Sequence, residues 1–225
     1  MPVTEYLERN AKLYPDEVAL VELNPEIADT RRISWKEYEL IEPTRFAPYR
    51  REITWKVFNE KANRFANLLI DRGIKKGDKV AILMYNCLEW LPIYFGVLKA
   101  GAIAVPFNFR YDAEEILYCA ELAEVDMIVF GPEFIGRIET NAERLCKGRL
   151  LIYVGDNCPR FAESYLEMVA DCPSNSPEIP LTEDDFGAIY FSSGTTGFPK
   201  AILHKHLSLT QAAEMEQKHH STGRD

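Results

Sequence analysis

A chain of 225 residues, 47% of them hydrophobic and with 12 Phe and 11 Tyr, carries enough apolar mass for a real core in one large or two small domains. Its formal net charge of −9 argues against a nucleic acid or an anionic membrane surface as partner, so any phosphate ligand has to be held by a local site. The five cysteines (Cys87, Cys119, Cys146, Cys158, Cys172) are odd in number and form no C-x-x-C pair, which argues against a disulfide framework or zinc site and fits a reducing, cytoplasmic setting.

The first ten residues, M-P-V-T-E-Y-L-E-R-N, are too charged for a signal peptide. Residues 4–14 read as a short amphipathic helix, with Leu7, Ala11 and Tyr14 at spacings of four and seven. Residues 18–23 read as a strand. Residues 24–50 are the least regular part, limited by Pro25, Pro43 and Pro48. They contain an echo, R-R-I-S-W-K-E-Y-E at 31–39 against R-R-E-I-T-W-K-V-F at 50–58, which is read as two strand-to-helix junctions, with a duplication as the other reading. Ser34 with Glu37 makes a capping box.

From Thr54 the helical period is clear. Phe58, Ala62, Phe65, Ala66 and Leu69 share one face, Asn59, Glu60, Asn63 and Asn67 the other, and Gly73 is the stop. Strands are then expected at 79–84, 103–107, 126–130 and 149–154, and helices at 87–100, 112–123, 134–146 and 161–170. Asp112 caps the second of those helices. Residues 90–107 approach membrane-spanning length, but Lys99, Pro92, Gly96, Gly101 and Pro106 break them into helix, turn and strand, so no transmembrane segment is expected. Strands alternating with helices in this way predict an α/β fold, a mostly parallel sheet flanked by helices.

Residues 172–185 are rich in proline and small polar side chains and read as a linker. The expected organisation is an α/β subdomain over 1–172, a Pro/Ser-rich linker over 173–184, and a loop hairpin with the start of a further subdomain over 185–225. Residues 185–191 form a buried strand, 201–204 its return strand and 207–218 a helix.

Between the two strands of that hairpin lies the most informative run, I-Y-F-S-S-G-T-T-G-F-P-K at 189–200. Small and hydroxyl residues leaving a strand can turn backbone N–H groups inward round an anion, and Lys200 adds a point charge suited to phosphate. Gly194 and Gly197 are only three apart and Pro199 precedes the lysine, so this is not a Walker A loop, and no G-x-G-x-x-G is present. A flexible Ser/Gly/Thr linker is the plain alternative. His204, His206, His219 and His220 lack a Cys or paired carboxylate to complete a metal set, so no metal ligands are expected among them.

The run at 189–200 resembles the AMP-binding signature of the adenylate-forming superfamily, which includes acyl-CoA synthetases, firefly-type luciferases and amino-acid-activating domains. Residues 53–69 and L-K-A-G-A-I-A-V-P-F-N-F-R at 98–110 are similar to the first helix and a core strand-and-turn motif of acyl-CoA synthetases. Amino-acid-activating domains usually carry an Asp where this chain has Asn108, followed by prolines that are missing here, so the resemblance favours the acyl-CoA synthetase branch. Residues 31–49 look like an insertion.

The resemblance implies the N-terminal part of the superfamily's large domain, with no counterpart of the adenine- and ribose-binding segments or of the C-terminal domain and its catalytic lysine. It implies ATP, Mg²⁺ and CoA as cofactor and co-substrates, and a carboxylic, fatty acid as small-molecule substrate. Ser192, Ser193, Gly194, Thr195, Thr196, Gly197 and Lys200 would hold the ATP phosphates, and His206 either borders the acyl pocket or is a surface histidine beside a helix. The 225 residues alone are expected to show no turnover. An amino- or aryl-acid-activating domain and a non-catalytic phosphate-binding or interaction module are the alternatives.

Overall fold

The structure, a computed structural model, describes residues 1–23, 50–192 and 199–220. The echo at 31–39, the Ser34–Glu37 capping box and the insertion at 31–49 lie outside the described residues.

The chain starts with helix α1 (Val3–Leu13) and then pairs strand β1 (Val18–Leu23) with β2 (Arg50–Thr54) in an antiparallel two-stranded sheet. Thr54 caps helix α2 (Trp55–Asp71), its side chain accepting from the Val57 N–H at 3.3 Å. The helix stops where Gly73 takes φ +86°, a conformation that a side chain would oppose. Alternation then begins: β3 (Lys79–Leu83), α3 (Trp90–Lys99), β4 (Ile103–Pro106), α4 (Ala113–Leu122) and β5 (Met127–Phe130). Asp112 and Glu115 form a reciprocal capping box on α4, at 2.8 and 2.9 Å.

Two expected helices are divided. Residues 134–146 form a 3₁₀ turn (Pro132–Phe134), then α5 (Ile135–Thr140) and α6 (Ala142–Leu145), with Asn141 leaving helical geometry between them at ψ 18°. After β6 (Leu150–Tyr153), the stretch 161–170 gives two residues to strand β7 (Glu163–Ser164), which pairs with β6, before α7 (Tyr165–Ala170) begins. Strand pairing outweighs the local helical pattern there.

β8 (Phe186–Ser192) and β9 (Lys200–Lys205) complete a seven-stranded sheet in the order β7-β6-β5-β3-β4-β8-β9, and α8 (His206–His220) follows. All neighbours in that sheet are parallel except β8 and β9. The tract 173–184 therefore falls between strands of one sheet, and β8–β9 extends the β4 side of it.

Strand alternation divides the core. Val80 and Ile82 of β3 point into a cluster with Phe65, Leu69, Ile93 and Val97 from α2 and α3. Ala81 and Leu83 point into the opposite cluster with Ile116, Leu117 and Ile138 from α4 and α5. Consecutive buried residues on β3 are what a parallel strand covered on both faces requires. Gly96 lets α3 lie against α2, since a Cβ there would come within 2.9 Å of the Ala62 carbonyl oxygen.

The polar side of α2 is not all solvent-facing. Asn63 is buried and donates to the Ser174 carbonyl at 2.8 Å, and Asn67 donates to the Pro173 and Asn175 carbonyls at 2.8 and 3.0 Å. The proline-rich tract has no helix or strand of its own but is strapped along α2 by these bonds. Lys99, the charge inside the apolar stretch, has a side chain only 2% exposed and pairs with Glu8 of α1. Among the described residues no helix is long and apolar enough to cross a membrane.

Candidate functional site

β8 ends and β9 begins on the side of the sheet where the parallel strands end in loops, the side on which ligands bind in open α/β sheets. Ser192, the last residue of β8, and Lys200, the first of β9, are direct cross-strand partners. Directly opposed residues share a face with Cβ atoms about 5 Å apart, so hydroxyl and ammonium emerge side by side. Lys200 is exposed and has no hydrogen-bond or ion-pair partner among the described residues. Ser193, Gly194, Thr195, Thr196, Gly197 and Phe198, the middle of the run, lie outside the described residues.

Both faces of β8 are anchored next to this point. On one face Phe191 meets Phe107 and Tyr111, with ring centroids 5.8 and 6.4 Å away and steep interplanar angles of 69° and 85°. The turn carrying those two aromatics is itself held. Arg137 donates through Nη1 to the Phe109 and Tyr111 carbonyls at 2.6 and 3.0 Å, and the Asn108 side chain accepts from the Arg110 N–H at 3.0 Å. On the other face the hydroxyls of Tyr190 and Tyr94 are 2.8 Å apart, and the His204 ring lies 5.2 Å from that of Tyr190. None of these aromatic anchors was read from the sequence as part of a site. The only signal available was an aromatic pair, Tyr190-Phe191, directly ahead of the glycines and aimed by strand alternation to opposite faces.

His206 is not a surface residue. It opens α8 at 1% exposure, so close to β8 that a Cβ on Gly187 would be 3.4 Å from its ring. Six residues of β9 separate it from the loop, about 20 Å at the rise of a strand. Neither ring nitrogen has a hydrogen-bond partner among the described residues, and burial pushes its pKa down from 6.5. Among the described residues no three His, Cys, Asp or Glu side chains come together in a way that could hold a metal ion.

The model of the AMP-binding enzyme family matches residues 7–225, nearly the whole chain. The chain belongs to that family. A medium/long-chain-fatty-acid–CoA/3-oxocholest-4-en-26-oate–CoA ligase of Mycolicibacterium smegmatis is 34% identical over 160 residues, 69% of this chain and 29% of the relative. The long-chain-fatty-acid–CoA ligase FadD13 of Mycobacterium tuberculosis is 33% identical over 162 residues, 72% of this chain and 31% of its own length. A 3-hydroxybenzoate–CoA/4-hydroxybenzoate–CoA ligase of Thauera aromatica is 31% identical over 170 residues, covering 75% of this chain and 32% of the relative. The chain thus spans about a third of the length of the curated relatives it matches. Among solved structures, the anthranilate CoA ligase AuaEII in complex with anthranoyl-AMP superposes with a TM-score of 0.79 at 24% identity, over 95% of this chain and 36% of that one, a likeness of fold.

Proposed function

We propose that this chain serves the ATP-dependent activation of a carboxylic acid, first to an acyl-adenylate and then to a CoA thioester. In the first step a carboxylate oxygen of the acid attacks the α-phosphorus of ATP, and the bond to the β-phosphate oxygen breaks to release pyrophosphate. In the second the sulfur of CoA attacks the acyl carbon, its thiol proton is lost, and AMP departs with the acyl-oxygen electron pair. Both nucleophiles belong to substrates, so the protein's task is positioning and charge stabilisation.

The observation that carries the reading is the pairing of Ser192 with Lys200 at the two ends of the signature run, inside a family match over residues 7–225. Ser192, Ser193, Thr195 and Thr196 would supply hydroxyls and N–H groups to the β- and γ-phosphates, Gly194 and Gly197 would let the backbone approach, and Lys200 would supply a fixed positive charge. Mg²⁺ would be carried by the triphosphate, as this ion usually is, and would supply positive charge to the phosphates beside Lys200. A fatty acid is the first choice of substrate, because the relatives at 33 and 34% identity are named for fatty acids. An aryl acid is the second, favoured by the hydroxybenzoate ligase at 31%. A cytoplasmic setting is the reading that the five free cysteines support.

Calorimetric titration of this chain with ATP tests the cradle. Thr195→Ala and Lys200→Ala are each expected to weaken binding, and equal binding by all three forms would refute the assignment. A rigid donor to a developing oxyanion is worth about 3 kcal/mol, the upper bound for the Thr195→Ala effect on adenylation. Carboxylate-dependent exchange of pyrophosphate into ATP, followed by thioester formation with CoA, tests the full reaction in a longer gene product, and the 225 residues alone are expected to show neither.

A further inference from the structure

The upper part of β8 takes its backbone support in the sheet chiefly from β9. Its parallel pairing with β4 has a single register pair, Ala104 with Ala188, whereas the antiparallel pairing with β9 continues to Ser192 and Lys200. Beyond the pair of Ala104 with Ala188, the end of the hairpin that presents Ser192 and Lys200 has no further register pair with β4 among the described residues, so side chains from neighbouring elements help to fix its position.

On one face this is done by packing, with Phe191 against Phe107 and Tyr111. On the other, the contact with a neighbouring element among the described residues is the bond between the hydroxyls of Tyr190 and Tyr94, the His204 ring beside Tyr190 belonging to the hairpin itself. Strand alternation puts Tyr190, Ser192 and Lys200 on that same face. Tyr94 is itself held rigidly: it lies on α3 at 8% exposure, with its ring stacked on Trp90 at 5.4 Å and 12°. A buried hydroxyl on a packed helix makes a fixed reference point, and a hydrogen bond is directional where ring packing is not. Burial, with the Tyr190 hydroxyl beside it, raises the Tyr94 phenol well above its ordinary range.

We propose that Tyr94 is a positioning residue, acting through the hydroxyl of Tyr190 to aim Ser192 and Lys200 at the phosphates of the nucleotide. The role rests on the phosphate-binding reading above. It makes α3, which belongs to the apolar core, part of the device that shapes an anion site on the neighbouring strand.

Tyr94→Phe and Tyr190→Phe each delete one oxygen and keep the rings, so both are suited to test it in the 225-residue chain. Affinity for pyrophosphate in magnesium buffer, measured by calorimetry, is expected to fall about fivefold in either variant, the equivalent of one lost hydrogen bond. The double variant should be no weaker than the single ones, because both delete the same bond. A general loosening of the fold would instead lower the melting temperature and give losses that add. Wild-type chain that binds pyrophosphate while Tyr94→Phe binds it equally well overturns the positioning role and leaves the phosphate site standing. Additive losses overturn it too. Wild-type chain that takes up no pyrophosphate overturns the phosphate site and the positioning role together.

Discussion

The centre of the sheet and its β8–β9 margin are built on different terms. β3 is flanked by paired strands and covered on both faces, and every residue from Val80 to Leu83 is buried. β9 has one neighbouring strand among the described residues, and both Ile202 and Leu203, successive residues facing opposite ways, stay more than 40% exposed. The centre is held by many interchangeable apolar contacts, the margin by a few specific ones. A change at the centre should therefore cost stability, and a change at the margin should cost position.

The sharpest way to break the centre is Phe65→Ala. Phe65 is wholly buried between α2 and the sheet, with its ring 5.6 Å from that of Tyr165. A loss of about 3–5 kcal/mol in urea unfolding is expected, and a loss below that of an ordinary surface change would contradict the packing described. Next comes Gly96→Ala, where the added methyl would press on the Ala62 carbonyl and the Phe65 side chain at 2.9 Å. Overpacking of this kind costs about 1–3 kcal/mol, read by the same unfolding curve.

Acid titration probes the junction of margin and helix. Burial, with Lys76 adding to it and Asp185 opposing, holds the His206 pKa below 6.5 in the folded chain. As pH falls through the ordinary histidine range the unfolded chain takes up the proton first, so stability present above about pH 6.5 declines below it. Between about pH 7 and pH 5 the melting temperature of His206→Gln should fall less than that of wild type. Parallel curves would remove His206 from the account. The smallest effect is expected on β9 itself, where Leu203→Lys in this 225-residue chain should shift stability by no more than about 0.5 kcal/mol.

The same contrast governs how much of the molecule was legible in its sequence. β1 was read to the residue, and α2, β3, β4 and β5 nearly so, because local period and caps such as Asp112 act within a few residues. What failed were features made at a distance. β7 exists because β6 offers it an edge, Asn63 is buried because residues 173–175 run over it, and His206 is buried because Gly187 leaves room. Of the site, Ser192 and Lys200 were legible as a motif, and the structure adds their pairing. The anchors Tyr94, Phe107 and Tyr111 were not, because nothing in the run at 189–200 says which distant side chains meet it.

β4 and β8 are neighbours in space, yet residues 107–185 separate them along the chain. Successive βαβ units can assemble β3 to β6 as the polypeptide leaves the ribosome, but β4 keeps a bare hydrogen-bonding edge until β8 has been synthesised. Loop-closure entropy makes so distant a pairing slow, and an unpaired edge meanwhile invites contact with other chains. β8 should thus dock later than β3 to β6 during biogenesis, and chaperones should matter in the interval before it arrives.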